Sequence, residues 1–368
     1  STSGNSAAGM VAVGKGASVN VAGLSTLTTT GLSGSNGAWA QNGASIALNG
    51  GATIVTNQGS GLYATNGGVI TATGPVSATV QDIQSGSGLW TPVFANGTKS
   101  KITIDGNLTA QSSNTHFTNG ITAQQGGQIS ITGQADITSG TGNYISSVYA
   151  RDANSQIHLG TQTTIVNHGG TAGGAGIAVE NGNGRIDADG LVDISTDGAF
   201  GVYANQNDAV IALQRLKVRT GNNGNPTPQA VVSAGPSTIT YTHADLDTLG
   251  DSGHGLYANA AGASITGSGT TIINTAGANA IAAYALGGGS TITLSDTLTA
   301  STLGANADGI RAEGGQITGK GAIVSTQGAN AVGAYVLGSG SSITFSDTLD
   351  VTTRGTNADG IRVEDSQM

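Results

Sequence analysis

Residues 277–299 read GANAIAAYALGGGSTITLSDTLT, and residues 328–350 read GANAVGAYVLGSGSSITFSDTLD. Residues 306–315 (NADGIRAEGG) return in the same way as residues 357–366 (NADGIRVEDS). Both pairs are offset by 51 residues, and each stretch of 51 divides into two related halves. Because self-similarity at a short fixed period marks repeat architectures, the sequence predicts one small unit stacked many times.

A four-residue landmark marks each unit. It consists of a small residue, an apolar residue, a variable residue and a second small or apolar residue. Fourteen landmarks between residues 9 and 360 give a mean spacing of 27.0 residues. Those at 147, 230 and 282 are weaker and are placed by the period. The landmarks begin at Gly9, Gly37, Gly61, Gly88, Gly120, Ser147, Gly176, Gly201, Ala230, Gly255, Ala282, Gly309, Gly333 and Gly360.

The composition narrows the class of protein. The 368 residues include 62 glycines, five prolines and no cysteine, and only 9% are charged. No stretch keeps a helical period and no apolar run reaches about 18 residues, so we expect almost no helix and no membrane-spanning helix. The net charge of −9 disfavours nucleic acid and anionic membranes as the main partners. The first residues lack signal-peptide features and the repeat stops at Met368, so we expect a fragment of a longer chain.

Each unit contains three short runs of alternating apolar and polar residues, separated by Gly, Asn or Asp, as in residues 306–328. A unit this small cannot bury its own apolar face and must stack on copies of itself. We therefore predict an all-β fold, a right-handed parallel β-helix of about 14 coils with three short strands per coil. Residues 1–368 are expected to form a single β-helix. Loops should leave it near residues 83–100 and 220–237, where four of the five prolines lie.

Alternation predicts which landmark residues face the core. The second and fourth positions, such as Ile310 with Ala312 and Ile361 with Val363, should point inward. The third position should point outward, with aromatic neighbours about 5 Å apart. Stacking of these side chains could simply stabilise the coils, or the row could be a binding surface of hot-spot composition. This outward column is predicted to contain Trp39, Tyr63, Trp90, Tyr149, Tyr203, Tyr257, Tyr284, Arg311, Tyr335 and Arg362.

A basic strand stands out in this acidic chain. Arg215, Lys217 and Arg219 alternate with Leu216 and Val218, so all three cations should project from one face. They could bind a sulfated or carboxylated glycan. They could equally be a solvated strand face that keeps an edge soluble.

The coil length, the Gly-[Ile/Leu/Val]-x-Ala landmarks, the strands of the ITLSDTLTAST type and the absence of cysteine resemble the passenger domains of autotransporters. The closest similarity is to the pertactin-like and AIDA-type adhesins of Gram-negative bacteria, and it covers the whole chain. The resemblance implies a β-helix carried to the cell surface by a C-terminal translocator barrel. Neither that barrel nor a signal peptide is expected in residues 1–368. Host-cell adhesion, bacterial self-association and immune evasion are the roles that the resemblance implies.

Three motifs raise the question of catalysis. Residues 250–253 spell GDSG, a protease nucleophile motif, but Ser252 is expected in a turn because repeats fill the upstream chain. Asp187 with Asp189, and Asp245 with Asp247, should share strand faces as the carboxylates of glycoside hydrolases do. Aspartates of the repeat explain both pairs more simply. The five histidines show no metal-ligand spacing, so we expect no catalytic residue, no metal and no cofactor.

We expect a non-enzymatic adhesin, on the bacterial cell surface or secreted, that binds host cell-surface or matrix glycans or proteins. A second copy of the chain is an alternative partner, whereas nucleic acid and direct membrane insertion of this fragment are not expected. Self-association in biofilms, capture of a host serum protein for immune evasion, and a polysaccharide-acting enzyme remain alternatives. The expected ligand-binding residues are Trp39, Tyr63, Trp90, Tyr203, Arg215, Lys217, Arg219, Tyr257, Tyr284, Arg311, Tyr335 and Arg362.

Overall fold

The chain is a β-solenoid in which parallel strands stack in coils, with about 12 turns. The computed structural model describes residues 1–81, 90–112, 119–142, 144–169, 173–206, 208–221 and 227–365. These residues contain strands and turns but no helix, which confirms the predicted all-β class, and the predicted 14 coils are close to the observed number. Within the same residues there is accordingly no helix with the length and apolarity to span a membrane.

Two compact units divide the chain. Unit 1 comprises Ser1–Gly169 and Ile177–Val192, and unit 2 comprises Gly170–Gly176 and Asp193–Met368. The strands of unit 1 follow one another in groups of three. They are β1 (Met10–Val13), β2 (Ser18–Val21), β3 (Ser25–Thr29), β4 (Ala38–Gln41), β5 (Ser45–Leu48), β6 (Ala52–Thr56), β7 (Leu62–Thr65), β8 (Val69–Ala72), β9 (Val76–Val80), β10 (Val93–Asn96), β11 (Lys101–Ile104), β12 (Leu108–Ser112), β13 (Ile121–Gln124), β14 (Gln128–Ile131), β15 (Gln134–Ser139), β16 (Ser146–Arg151), β17 (Gln156–Leu159) and β18 (Gln162–Asn167).

In unit 2 the second and third strands of a coil often fuse into one strand of 11 or 12 residues. Two strands, β19 (Ala175–Glu180) and β20 (Arg185–Thr196), contain residues assigned to both units. The remaining strands are β21 (Phe200–Asn205), β22 (Ala209–Thr220), β23 (Val231–Ala234), β24 (Ser237–Thr248), β25 (Leu256–Asn259), β26 (Ala263–Gly267), β27 (Thr271–Thr275), β28 (Ala283–Leu286), β29 (Thr291–Thr302), β30 (Ile310–Glu313), β31 (Gln316–Thr326), β32 (Ala334–Leu337), β33 (Ser342–Phe345), β34 (Leu349–Thr353) and β35 (Ile361–Glu364).

Every strand pairs in parallel with the equivalent strand of the neighbouring coil. In unit 1 the landmark strands pair in the order β1-β4-β7-β10-β13-β16. The second strands follow β2-β5-β8-β11-β14-β17, and the third strands follow β3-β6-β9-β12-β15-β18. In unit 2 the landmark strands pair as β21-β23-β25-β28-β30-β32-β35. One residue at a given position of the repeat therefore lies beside its equivalents in the adjacent coils.

The core consists of inward ladders of small and branched apolar side chains. Leu62, Ala64, Ile310 and Ala312 are all fully buried, which confirms the predicted inside face. Burying one such large side chain stabilises the fold by roughly 1.5–3 kcal/mol. Ile361 and Val363 are exposed by 52% and 40%, but their register with the buried Ala334 and Val336 of β32 places them on the same inward face.

Buried threonines close one corner of several coils. The last residue of a third strand, such as Thr275 or Thr302, donates its hydroxyl to a backbone carbonyl five residues later, at 2.7 and 2.6 Å. The chain then enters the landmark through a tight approach. A Cβ at Gly309 would lie 2.1 Å from Val324 and 2.6 Å from the carbonyl oxygen of Gly333. Glycine therefore permits the close packing of this corner on the next coil.

One landmark prediction is wrong. The fourth landmark strand is β10, and Val93, Phe94 and Ala95 pair with Leu62, Tyr63 and Ala64 of β7. The predicted landmark at Gly88 therefore lies four residues too early in the sequence. The segment 83–100 predicted as a loop contains β10, and the segment 220–237 contains β23, so neither is a loop throughout. Residues 82–89 and 222–226 of these segments lie outside the described residues.

Candidate functional site

The outward column exists in both units, at the third position of each landmark strand. In unit 1 the strand register aligns Val11, Trp39, Tyr63, Phe94, Thr122 and Tyr149. The rings of Trp39 and Tyr63 stack at 5.8 Å between centroids, and those of Tyr63 and Phe94 at 5.2 Å. These distances confirm the predicted spacing, since adjacent coils place one ring directly on the next. Trp90 does not belong to the column, because Phe94 occupies its predicted place.

In unit 2 the column combines aromatic rings with arginines. It runs through Tyr203, Val232, Tyr257, Tyr284, Arg311, Tyr335 and Arg362. The rings of Tyr257 and Tyr284 stack at 5.3 Å. The Arg311 guanidinium lies 5.5 Å from the centre of the Tyr284 ring and 4.9 Å from that of Tyr335. Arg362 covers the far face of Tyr335 at 5.5 Å. Such cation–π contacts contribute roughly 0.5–2 kcal/mol each.

The column is less exposed than the sequence suggested. Phe94 and Tyr284 retain only 7% and 9% of their exposure, and Trp39, Tyr63, Tyr203, Tyr257 and Tyr335 are partly buried. The stacked rings cover one another's faces along the ladder. What faces solvent is therefore the edges of the rings and the guanidinium groups.

Carboxylates bind the column together from coil to coil. Glu313 accepts hydrogen bonds from the Tyr284 hydroxyl at 2.8 Å and from Arg311 Nη2 at 2.9 Å. Glu364 accepts in the same way from Tyr335 at 2.8 Å and from Arg362 Nε at 2.6 Å. Burial, followed by the hydrogen bond to Glu313, raises the pKa of Tyr284 above its ordinary value. The hydrogen bonds from Tyr335 and Arg362 hold the pKa of Glu364 below its usual range.

Unit 1 contains one contact of this kind, in which the Tyr149 hydroxyl donates to Glu180 at 2.7 Å. Burial, reinforced by Glu180, raises the pKa of Tyr149. Alternation within the landmark strands also places Glu180, Glu313 and Glu364 on the outside, but it does not predict these bonds. The sequence does contain a signal for these bonds. Each tyrosine stands at the third landmark position of one coil, and each glutamate stands two residues after the third landmark position of the next coil.

A second ladder, which we term the acceptor position, occupies the residue just before the landmark. There Asn36, Asn119, His254 and Asp308 each accept a backbone N–H of the next coil, at 2.8, 3.0, 3.0 and 2.8 Å. His254 Nδ1 is the acceptor, so the ring is neutral with its proton on Nε2. Burial, together with nearby Arg311, lowers the pKa of His254 to about 4. The ring lies edge-on to Tyr257 and Tyr284, at 5.0 and 5.3 Å between centroids.

The basic strand has the predicted geometry within β22. Arg215, Lys217 and Arg219 are exposed, whereas Leu216 and Val218 between them are buried. Lys217 Nζ lies 3.1 Å from an Asp193 carboxylate oxygen, but Arg215 and Arg219 have no ion pair with any described residue. The neighbouring strand β24 places His243, Asp245 and Asp247 beside the three cations. Burial, followed by repulsion from Asp247, raises the pKa of Asp245.

The motifs that raised the question of catalysis are engaged in structural contacts. His158 lies between Asp187 and Asp189, with its Nδ1 2.7 Å from one carboxylate and its Nε2 3.3 Å from the other. Asp187 also binds Arg185 Nε at 2.7 Å. Ser252 occupies a turn, as predicted, and the carboxylate of Asp251 beside it accepts the N–H of Ala278. Across the described residues, no three His, Cys, Asp or Glu side chains converge as a metal site would require.

Comparison of the chain with models of protein families, with curated proteins and with solved structures finds no match in any of the three. The geometry of its own side chains therefore carries the functional argument.

Proposed function

We propose that the chain is part of a non-enzymatic adhesin that is displayed on a bacterial surface and binds host cell-surface or matrix molecules. The observation that carries this proposal is the outward column, which offers Trp and Tyr side chains at coil spacing in unit 1 and Tyr and Arg side chains in unit 2. These residue types are enriched at the centres of protein interfaces. The resemblance of the repeat to autotransporter passengers supplies the cell-surface setting and is part of the proposal.

The contacts of the column limit which side chains a partner can use. Tyr284 is nearly buried and its hydroxyl is bound to Glu313, so its first role is to join coils. Tyr203, Tyr257 and Tyr335 keep more of their exposure. A ligand that lies along the column would meet the ring edges of these three tyrosines and the guanidinium of Arg362.

Cell binding by the purified chain tests this proposal. Replacement of Tyr203, Tyr257 and Tyr335 with serine should weaken binding to epithelial cells and to immobilised matrix proteins at least tenfold, because exposed aromatic anchors contribute about 2 kcal/mol or more each. In the matched control, serine replaces Thr240, Thr266 and Thr293, which lie at outward positions of the second strands of the same unit. Equal binding by the tyrosine variant, the control and the parent chain would contradict the proposal.

Self-association between copies of the chain is a second candidate function, favoured by exposed apolar residues in unit 2. Ile272 and Ile323 are exposed by 40% and 51% on outward positions of third strands. Exposed branched side chains on a sheet face favour contact with another protein surface. Analytical ultracentrifugation over a range of concentrations should then show association that Ile272→Thr and Ile323→Thr reduce together. A monomer at all concentrations would exclude this candidate for the chain.

A further inference from the structure

Unit 2 contains a groove beside its third strands that the outward column does not use. Its volume is about 370 Å³, and its walls include Arg219, Asp247, Asn274, Ser301, Leu249 and Leu303. Pockets that hold small ligands have volumes of about 300–1,000 Å³. The groove is therefore large enough for a ligand of one or two rings.

The repeat builds the two walls of this groove as ladders. Strand register places Arg219, Asp247, Asn274 and Ser301 one per coil along the polar wall. The opposite wall consists of the residues that follow the third strands, Leu249, Ala276 and Leu303. Each of these donates its backbone N–H to the closing threonine of the preceding coil, at 2.9 to 3.1 Å. The threonines Thr248 and Thr275 form a buried floor between the walls.

The two charged residues of the polar wall differ in their contacts. The Arg219 guanidinium has no ion pair with any described residue, although Asp247 stands beside it in the ladder. Asp247 instead accepts a hydrogen bond from Asn274 Nδ2 at 2.9 Å. A carboxylate keeps further lone pairs that can accept from ligand hydroxyl groups. Within the part of the chain that the structure describes, the wall thus offers a cation without an ion pair at one end, followed by groups that suit hydroxyl groups.

We propose that this groove binds an oligosaccharide that carries isolated carboxylate groups, of the uronic acid class. The sugar carboxylate would lie on Arg219 in charge-assisted hydrogen bonds. The hydroxyl groups of the sugar would donate hydrogen bonds to Asp247 and exchange hydrogen bonds with Asn274 and Ser301. The C–H face of the ring would cover the Leu249–Ala276–Leu303 wall. This inference names a ligand class for a surface built by the third strands, and it rests on the proposed function only in that both make the chain a binding protein.

The surroundings favour isolated carboxylates over a densely sulfated chain. Lys217 is already paired with Asp193, and Asp245 and Asp247 stand beside the cations of the basic strand. A ligand with high charge density would meet these three carboxylates as well as the arginines, and like charges repel it. One carboxylate on Arg219, with neutral hydroxyl groups elsewhere, meets less repulsion because it lies beside Asp247 alone.

Titration calorimetry with a hyaluronan tetrasaccharide, and with the same tetrasaccharide after reduction of its carboxyl groups, tests the inference. The parent chain should bind the carboxylated probe at least tenfold more tightly than the reduced probe, because a charged hydrogen bond is lost. Arg219→Gln should lose binding about tenfold or more. Arg215→Gln is the matched control, since Arg215 is exposed on the same strand face and has no ion pair with any described residue, but does not line the groove. Leu303→Ser should weaken both probes alike.

Two results would overturn the inference. One is the absence of binding of the carboxylated probe to the parent chain. The other is an equal loss of affinity for the carboxylated probe in the Arg215 and Arg219 variants. Tighter binding of a heparin tetrasaccharide than of hyaluronan would strengthen that result, because it indicates attraction by the basic strand as a whole. Cell binding by the Arg219 variant, measured in parallel, separates the two proposals. If the groove binds nothing but cell binding persists, only the groove assignment fails.

Discussion

The outward column joins its coils by different interactions in the two units. In unit 1, Trp39, Tyr63 and Phe94 stack ring on ring, with no charged group among them. In unit 2, Arg311 lies between Tyr284 and Tyr335, and Glu313 binds both Arg311 and Tyr284. The same position of the same repeat therefore relies on aromatic packing alone at Trp39–Tyr63–Phe94 and on charge as well at Tyr284–Arg311–Tyr335. Packing depends little on salt, whereas interactions between partly exposed charges are screened by it.

The largest effect should come from the core, where the two units do not differ. Ile121→Asp in unit 1 and Ile310→Asp in unit 2 each place an unpaired charge in a fully buried ladder. Each should reduce the free energy of unfolding by about 4 kcal/mol or more. Chemical denaturation followed by circular dichroism measures the loss. Arg311→Gln, one residue from Ile310, is the control and should cost far less. Equal costs for the Ile310 and Arg311 variants would disprove the assignment of inward and outward faces.

A smaller effect should depend on pH and arises from His254 in unit 2. Unfolded His254 binds a proton near pH 6.5, whereas the buried ring resists protonation down to about pH 4. Because the folded pKa is lowered, the contribution of His254 is complete above pH 6.5 and is lost as the pH falls toward 4. The loss amounts to about 3 kcal/mol. It is measured as the difference in unfolding free energy between the parent chain and His254→Asn across this range.

Asparagine is the matched replacement because Asn36 and Asn119 accept the same backbone hydrogen bond at the equivalent position. His254→Asn should therefore be nearly as stable as the parent chain at pH 7.5 and more stable than it at pH 4. Parallel pH profiles for the two proteins would show that His254 does not cause the acid sensitivity.

In unit 1, Phe94→Leu should reduce the unfolding free energy by about 1–2 kcal/mol. The substitution removes the stacking of the Phe94 ring on Tyr63, and an aromatic pair of this kind contributes roughly 0.5–1.5 kcal/mol beyond burial. The cost should be the same in low and high salt, because no charge is involved. A cost that falls in 1 M salt would show that the two regions of the column do not differ in the way described.

In unit 2, Glu313→Gln should cost about 1 kcal/mol at low salt and less at high salt. The substitution removes the charge that binds Arg311 and Tyr284, but Glu313 is 35% exposed, so water screens the interaction. Thermal unfolding at two salt concentrations measures the difference. Asp136→Asn, at an exposed position of a third strand in unit 1, controls for the loss of one negative charge. A loss of stability in Glu313→Gln that does not change with salt would show that Glu313 acts through packing rather than through its charge.

Most of the fold could be predicted because one pattern recurs many times. Alternation of side chains fixed the inward ladders at Leu62 and Ile310, and the repeat fixed the register between coils. The prediction failed at the fourth landmark, where Gly88-Leu-Trp-Thr matches the pattern but Pro92-Val-Phe-Ala forms the strand. The longer coil there leaves two segments that satisfy the pattern, and only pairing with β7 distinguishes them.

The candidate site was predicted in position but not in its contacts. Sequence alternation placed Tyr284 and Glu313 on the outside, yet their hydrogen bond depends on side-chain rotamers that alternation does not determine. The groove was missed for a related reason. Leu249 and Leu303 follow the ends of strands, where no period assigns a face, and only the stacking of coils aligns them with Arg219 and Asn274.

The acceptor position affects how the gene for such a chain can change. Wherever Asn, His or Asp occupies this position, its side chain accepts a hydrogen bond from the backbone N–H of the next coil. Because the donor is a backbone group, this contact between two coils does not depend on which coils are adjacent. A duplicated segment of whole coils finds compatible partners at both of its ends. The 51-residue offset between residues 277–299 and 328–350 has the form of such a duplication. Recombination can therefore lengthen or shorten the protein in steps of whole coils while the surviving surface ladders keep their alignment.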